Sequence, residues 1–188
     1  FAENYKIPSI ISISATAVGN ATIKYASNKT NPNIRVTATD EHNLAFSGAT
    51  IAKGRNFSKQ DIESGSFTCL IGSGVETALF KGVNPVGKII SVGAARYEVI
   101  GTIANQGSSF GGGPDNQVWI PVSNARGVFL SDNSFYLINI IPKEGVNQER
   151  AIEAAEQLFR SIRRLSPLDA SDFRVTKSDA FLEDIMQI

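Results

Sequence analysis

The sequence has little of what most catalytic centres are built from. Its 188 residues include one histidine and one cysteine. A catalytic triad would therefore have a single candidate base, His42, and a histidine-rich metal site is excluded. The neighbouring Asp40 and Glu41 fit a solvated polar turn, and other acidic residues lack the paired spacing of acid–base catalysis. We expect no catalytic residue, no metal and no cofactor in this domain.

Net charge and long hydrophobic runs are also absent. The 18 basic residues balance the 18 acidic ones, so no net field draws the chain to nucleic acid. No stretch reaches the roughly 20 apolar residues of a transmembrane helix, and the N-terminus lacks a signal-peptide pattern. Because the chain begins with Phe1 and not with Met, we expect a soluble piece of a longer membrane protein.

Two glycine-containing segments have part of the spacing of nucleotide-binding motifs. Residues 82–88 match a phosphate-binding loop, but Pro85 lacks the backbone N–H and Ile89 replaces the hydroxyl residue that would bind magnesium. Residues 72–74 resemble a dinucleotide fingerprint, but Thr77 occupies the third glycine position. Both segments therefore predict turns. The lone Cys69, in an apolar run, predicts a buried side chain.

The first third of the chain reads as strands. Partial alternation predicts a hairpin of residues 7–17 and 22–25, joined by a turn at Gly19-Asn20, and then a strand over 34–39. From about residue 53 the pattern changes to short strands between Gly, Pro and Asn turns, which indicates a second, smaller subdomain. Within it we expect strands over 67–71, 88–92 and 96–104, and a helix over 75–80 that Ser73 caps.

From residue 121 onward the pattern is strand, helix, strand and helix. A strand is predicted over 135–141, and a strong amphipathic helix begins at the capping residue Asn147 and ends before Pro167. A strand over 173–175 precedes a last helix from about Ser178. The apolar stripe of that helix either packs on the body of the domain or continues into a membrane segment.

A glycine-rich loop, residues 107–114, is the most unusual feature of the sequence. Three consecutive glycines are entropically costly to order, so the loop belongs on a surface. Its phenylalanine is a candidate exposed anchor, and the alternative is a plain flexible hairpin tip. The predicted partner-contact residues are Phe110, Gly111, Gly112 and Gly113.

An ordered series of motifs resembles the MacB-like extracytoplasmic core domain of ABC transporter permeases. Residues 54–61, Gly-Arg-Asn-Phe-Ser-Lys-Gln-Asp, resemble the family signature G-R-x-F-[ST]-x-x-D. Gly54 can take a backbone angle closed to other residues, Phe57 can anchor the core, and Ser58 can cap the turn that holds Asp61. The departure is Ala38, where the family often has glycine. The other matching segments, in family order, are 69–72, 78–80, 84–88, 97–101, 119–121 and 163–167.

The resemblance implies an α+β fold of two lobes. A membrane-proximal, porter-like α+β subdomain would comprise residues 1–52 and 121–188, and a small α/β, Sabre-like subdomain would be inserted as residues 53–120. The domain would lie in the periplasm of a bacterium, between two transmembrane helices of an inner-membrane protein. Phe1 and Ile188 would then both point toward the membrane.

The resemblance also implies a function in transport and not in catalysis. ATP hydrolysis by a cytoplasmic subunit or domain of the same transporter would move the transmembrane helices, and this domain would transmit the motion outward. Expected partners are that ATP-binding part, a second permease copy in a dimer, and in some relatives a periplasmic adaptor and an outer-membrane channel. The domain would also contact partner proteins or exported cargo, whose identity the sequence does not choose.

Another class of function stays open from the residues themselves. A secreted or cell-surface binding module without a transport role is supported by the soluble composition and by three possible N-glycosylation triplets, at Asn20, Asn28 and Asn56. A secreted hydrolase has less support, because the single histidine has no evident catalytic partners.

Overall fold

The computed structural model describes residues 1–105 and 113–177, and in them a mixed β-sheet carries helices. This confirms the α+β class. The strands are β1 Ser9–Ala21, β2 Ile23–Tyr25, β3 Asn28–Lys29, β4 Ile34–Thr39, β5 Ile51–Gly54, β6 Thr68–Ile71, β7 Ile89–Val92, β8 Ala95–Ile103, β9 Gln117–Pro121 and β10 Tyr136–Pro142. The helices are α1 Asn43–Ser47, α2 Lys59–Glu63, α3 Ser73–Phe80, α4 Val122–Val128 and α5 Gln148–Ile162, with a 3₁₀ turn at Pro114–Asn116.

The chain divides into two compact units. One contains Phe1–Ile10 and the chain from Ile140 onward, and the other is Ile11–Asn139. This division falls at other positions than the limits predicted at 52/53 and 120/121. Those limits, and the Sabre-like insert between them, stay a prediction. In the described residues no helix combines the length and the apolar character needed to cross a bilayer.

The sheet mixes parallel and antiparallel pairs. Its strand order is β10-β1-β4-β9-β6-β8-β7-β2-β3, and β5 pairs with β8 beside this path. The parallel pairs are β4 with β9 and β6 with β8, and each joins strands that are far apart in sequence. Parallel neighbours need a crossover connection, and α3 lies in the crossover from β6 to the β7–β8 hairpin.

The sheet buries apolar side chains on both faces of the unit Ile11–Asn139. The alternation along β6 divides them, since Cys69 and Ile71 belong to one cluster and Leu70 to the other. The larger cluster includes buried residues of α3 and α4, and the smaller one packs residues of α1, α2 and β5 over β6 and β8. The members of the smaller cluster are Ala49, Phe57, Leu70, Ile100, Ile103 and Trp119, with Leu44, Ile51 and Ile62 at its edge.

The predicted N-terminal hairpin is wrong. β1 continues through Gly19-Asn20 to Ala21, and β2 pairs with β3 and β7 and not with β1. Gly19-Asn20 forms no turn. These residues lie in an irregularity of the β1–β4 register between Val18 and Ala21. A glycine inside a strand is typical of such a bulge, so the same residues satisfy either structure locally. The strand predicted over 34–39 is confirmed as β4.

Two local predictions at element ends are also wrong. α3 begins at Ser73 itself, with Gly72 as the capping residue, and the Ser73 hydroxyl donates to Asp115 Oδ1 at 2.6 Å instead. Residues 173–175 form no strand, and the ring of Phe173 stacks on Phe159 with centroids 5.1 Å apart. A tertiary partner overrode the local signal in both cases. The last helix predicted from Ser178 lies outside the described residues.

α5 is the main helix of the unit that contains both Phe1 and the chain from Ile140 onward. The Asn147 side chain accepts a hydrogen bond from the Arg150 N–H at 3.1 Å, which confirms the predicted cap. Ala151 and Ala155 are buried on its inner face, and the Tyr5 hydroxyl donates to the Ala151 carbonyl oxygen at 2.7 Å. The helix is therefore fixed at its start by a cap and along its side by the N-terminal turn.

Asn147→Ala is expected to lower the free energy of unfolding by about 1 kcal/mol, because the Arg150 N–H loses its acceptor. Chemical denaturation measures the change, and hydrogen exchange of the first α5 amides locates it. Asn133→Ala is the matched control, since Asn133 is exposed in a turn and its side chain makes no hydrogen bond among the described residues. Equal losses in the two variants would contradict the cap assignment.

Candidate functional site

Only part of the predicted partner-contact loop belongs to the residues that the structure describes. Phe110, Gly111 and Gly112 lie outside the described residues, and Gly113 is the extended residue before the 3₁₀ turn. Contact of this loop with a partner stays a prediction.

The base of that loop is fixed on the start of α3. The Gly72 N–H donates to the Gln117 carbonyl oxygen at 2.9 Å, and the Ser73 hydroxyl bonds Asp115. A Cβ at Gly74 would lie 2.7 Å from Asn116 Oδ1, and one at Gly72 would overlap the Pro114 carbonyl oxygen. Gly72 and Gly74 therefore allow two segments of backbone to approach closely.

The signature segment, residues 54–61, begins with another close approach of backbones. Gly54 has a φ of +73°, and an added Cβ would overlap the Ile100 carbonyl oxygen. Gly54 pairs with Gly101, whose own Cβ would lie 2.5 Å from the Arg55 carbonyl oxygen. Glycine is required here both for the positive φ and for the space, which confirms the role predicted for Gly54.

A capping box holds the rest of the signature segment. The Ser58 hydroxyl accepts from the Asp61 N–H at 3.2 Å, and Asp61 Oδ2 accepts from the Ser58 N–H at 2.8 Å. Arg55 donates to both carboxylate oxygens of Asp61, with Nη1 2.6 Å from Oδ2 and Nη2 3.3 Å from Oδ1. The Arg55 hydrogen bond, helped by those from Ser58, lowers the pKa of Asp61 from 3.8 to about 2.

Two side chains between Gly54 and Ser58 attach the segment to the sheet. Phe57 is 4% exposed and packs in the smaller cluster with Trp119 and Ile100. Asn56 Nδ2 donates to the Glu41 carbonyl oxygen at 2.8 Å. Every distinctive residue of the signature thus has a packing or capping partner, and the segment reads as scaffold.

The surroundings of His42 fit a polar turn. Its side chain is 52% exposed, and Nε2 lies 3.7 Å from Glu41 Oε1. The Asp40 carboxylate accepts hydrogen bonds from the Ser12 hydroxyl, the Ile13 N–H and the His42 N–H, so it fixes the backbone of the turn. No group of three potential metal ligands occurs among residues 1–105 and 113–177.

Buried polar groups in the core also have structural partners. The Tyr97 hydroxyl donates to Asn124 Oδ1 at 2.6 Å, and Asn124 Nδ2 donates to the Gly65 carbonyl oxygen at 3.0 Å. Burial raises the pKa of Tyr97 to about 12, and burial also raises the pKa of the fully buried Cys69 thiol. Both groups stay neutral. The predicted burial of Cys69 is confirmed, whereas sequence patterns did not indicate the Tyr97–Asn124 pair.

The rings of Tyr5, Phe1, Phe159 and Phe173 form an aromatic ladder in the unit that contains Phe1 and the chain from Ile140 onward. Sequence patterns did not indicate this ladder. The Phe159 ring of α5 stacks on Phe1, with centroids 4.5 Å apart, and on Phe173. Phe1 in turn stacks on Tyr5 at 5.3 Å. The only local signal was the helical spacing of Phe159, which does not identify partners 158 and 14 residues away along the chain.

Two arginines fasten the segment after α5 beside this ladder. Arg160 donates to Ser171 Oγ at 2.9 Å and to the Asp169 carbonyl oxygen at 3.0 Å. Arg163 Nη2 lies 2.6 Å from Asp172 Oδ2. Both arginines therefore bind side chains or backbone of residues 169–172.

The Asp61→Asn variant is expected to lose about 1 kcal/mol of stability at neutral pH, because asparagine cannot pair with the Arg55 charge. The folded-state pKa of Asp61, about 2, is below its ordinary 3.8, so its contribution is present at neutral pH and fades as the pH falls from about 4 towards 2. Unfolding midpoints of wild type and variant measured against pH should therefore converge in that window. A gap that stayed constant down to pH 2 would contradict this role.

Gly54→Ala is expected to destabilise the fold by at least about 2 kcal/mol, since a Cβ adds a backbone clash to the cost of a positive φ. Gly48→Ala is a matched control, because Gly48 has a φ of +64° and its Cβ would meet nothing within 4 Å. The control should lose only about 1 kcal/mol. Thermal unfolding of both variants tests the difference, and equal losses would show that space at Gly54 is unimportant.

Comparison with solved structures agrees with this architecture. The chain superimposes on the periplasmic region of MacB from Actinobacillus actinomycetemcomitans with a TM-score of 0.80 and 15% identity, over 100% of this chain and 80% of that one. It superimposes on the extracellular domain of the ABC-type transporter YknZ from Gram-positive bacteria with a TM-score of 0.66 and 19% identity, over 82% and 76% of the two chains. These likenesses show a shared fold.

Sequence relatives are export proteins. The chain is 32% identical over 146 residues to the macrolide export ATP-binding/permease protein MacB of Campylobacter fetus, which is 77% of this chain and 22% of that protein. It is 30% identical to the pyoverdine export ATP-binding/permease protein PvdT of Pseudomonas aeruginosa, over 71% of this chain and 20% of that protein. The chain thus spans about a fifth of the length of these relatives.

The family model of the MacB-like periplasmic core domain matches residues 2–158. The match covers the signature segment, the whole described sheet and most of α5. It confirms the resemblance drawn from the motifs and the predicted periplasmic location. The chain belongs to the family of MacB-like periplasmic core domains and is the periplasmic domain of an ABC transporter permease.

Proposed function

We propose that this domain relays conformational change, driven by ATP hydrolysis elsewhere in the transporter, and has no catalytic role of its own. The names of the relatives pair ATP binding with a permease, and this chain spans about a fifth of each of those proteins. ATP binding is then the task of a cytoplasmic subunit or domain. A second permease copy, a periplasmic adaptor and an outer-membrane channel are the further proposed partners, and the domain contacts partner proteins or exported cargo.

The observation that carries the relay is the stacking of Phe1 and Phe173 on one ring, that of Phe159. In the proposed transporter, membrane segments flank the domain on both sides and pull on the segments before and after it. A displacement of either segment would be passed to α5 and from there to the other segment, because aromatic stacks and close-packed helices move as units. The Arg160 and Arg163 bonds add polar fastening on the side of Phe173.

The second candidate, a secreted or cell-surface binding module, loses much of its support. Two of its three glycosylation triplets have an amide that is engaged in the fold. Asn28 Nδ2 donates to the Leu79 carbonyl oxygen at 2.7 Å, and Asn56 Nδ2 donates to the Glu41 carbonyl oxygen. A glycan on Nδ2 would replace one of its two hydrogens and add a bulky sugar next to the acceptor, which disfavours those contacts. Asn20 is exposed and stays compatible with modification.

Phe159→Leu in the intact permease is expected to lower cargo transported per ATP at least about fivefold, the lower end of ordinary coupling energies. Leucine keeps an apolar side chain on α5 but loses both ring stacks. The basal ATPase rate of the reconstituted permease should stay unchanged. Transport and ATP hydrolysis are measured together in vesicles.

Two controls make this result specific. Leu168→Ala changes a side chain that is 97% exposed in the same unit, and His42→Gln changes the exposed histidine. Both should leave transport per ATP unchanged, and the thermal midpoint of each variant domain checks its folding. A folded Phe159→Leu permease with normal transport per ATP would refute the relay through this ladder. A large loss in His42→Gln would indicate chemistry at the histidine.

A further inference from the structure

In the unit Ile11–Asn139, the described residues leave one face of the sheet over β1 and β4 uncovered. In the parallel pair of β4 and β9, Arg35 is opposite Gln117 and Thr37 is opposite Trp119. On the other side Thr37 is opposite Thr16 of β1. Because side chains alternate along a strand, these residues share the face on which Trp119 joins the smaller cluster. The cluster covers that face over β6 and β8, and polar side chains occupy it over β1 and β4.

The uncovered face forms the floor of a cleft of about 510 Å³. Asn43 and Ser47 of α1 border it, and residues 135–137 form one wall. The volume is within the roughly 300–1,000 Å³ of small-molecule sites. A site of this size suits a small molecule better than a protein surface.

The wall of the cleft is apolar and exposed. Phe135 is 93% exposed and Leu137 is 60% exposed, next to each other on the same wall. Large apolar side chains held side by side in water are unfavourable unless something covers them.

The floor of the cleft carries a positive charge. Arg35 is exposed, and no carboxylate of residues 1–105 and 113–177 lies within 4.0 Å of its guanidinium. None of the described residues that line the cleft is acidic. Beside it the Thr37 hydroxyl donates to Gln117 Oε1 at 3.5 Å, and the amide nitrogen of Gln117 can donate to an anion. An arginine fork of this kind binds a carboxylate through two parallel hydrogen bonds.

We propose that this cleft binds a small amphipathic carboxylate. Its acid group pairs with Arg35 on the sheet, and its apolar body lies against Phe135 and Leu137. A purely apolar ligand would leave the guanidinium unused, and a small inorganic anion would leave the wall in water. Binding does not require that the domain relay motion, so it can be tested on this chain without the rest of the transporter.

The probes are dansyl-leucine, which has an aromatic group, an aliphatic side chain and a carboxylate, and the uncharged dansyl-leucinamide. Fluorescence titration of this chain should show saturable binding of the acid, at least about tenfold tighter than of the amide, the lower range of a charge-assisted hydrogen bond. Arg35→Gln should remove that difference by weakening the acid and leaving the amide unchanged. Phe135→Ser should weaken both probes.

Matched controls are available at exposed positions elsewhere. Arg96→Gln removes an exposed arginine of β8, and Val83→Ser removes an apolar side chain that is 54% exposed, and neither residue lines the cleft. Both variants should bind as wild type. Since Arg35 and Phe135 are exposed, their variants are expected to fold, and far-UV circular dichroism checks this.

Three outcomes would overturn the proposal. They are no saturable binding of dansyl-leucine, equal affinity for acid and amide in wild type, and acid binding that neither Arg35→Gln nor Phe135→Ser weakens. The relay is judged from transport per ATP in Phe159→Leu, a residue of another part of the fold. Failure of one proposal is therefore distinguishable from failure of the other.

Discussion

The rest of the structure depends on the position of β9 inside the sheet. Its five residues pair in parallel with β4 on one side, and Val118 and Trp119 pair antiparallel with β6 on the other. Val118 and Ile120 are fully buried in the larger cluster, and Trp119 is 5% exposed in the smaller one. One short strand therefore joins the two halves of the sheet and contributes side chains to both apolar clusters. The elements that pack on either face are positioned by the same strand.

The distinctive residues of the family signature maintain this arrangement of strands through close backbone approach, packing and helix capping. Gly54 allows β5 to approach β8, Phe57 fills the space beside Trp119, and Asp61 neutralises Arg55 while it caps α2. These contacts explain why a recurrent sequence pattern can mark a family without marking an active site. The aromatic ladder and the cleft lie outside the signature segment.

Sequence patterns predicted the structure well where the determining contacts are local. Asn147 and Ser58 cap helices within three residues of themselves, and the alternation over 34–39 is that of a strand buried on one face. The patterns failed where a distant partner decided the outcome. Gly19-Asn20 lies in a bulge and not in a turn, because β1 pairs with β4 on both sides of it. Phe173 lies outside any strand, and its ring stacks on Phe159. Sequence patterns did not predict the cleft for the same reason, since its floor and wall come from segments about 100 residues apart.

The parallel pairing of β4 with β9 also has a consequence for how this chain reaches its native state. About 80 residues separate the partners, so the loop-closure entropy of a long segment must be overcome before the central pair is formed. During synthesis or secretion the edge of β4 that pairs with β9 stays unpaired until residue 121 has emerged, and that edge needs protection from other chains for that time. A periplasmic holdase that recognises such exposed strands would therefore have a longer period in which to act on this domain than on a helical protein of equal size.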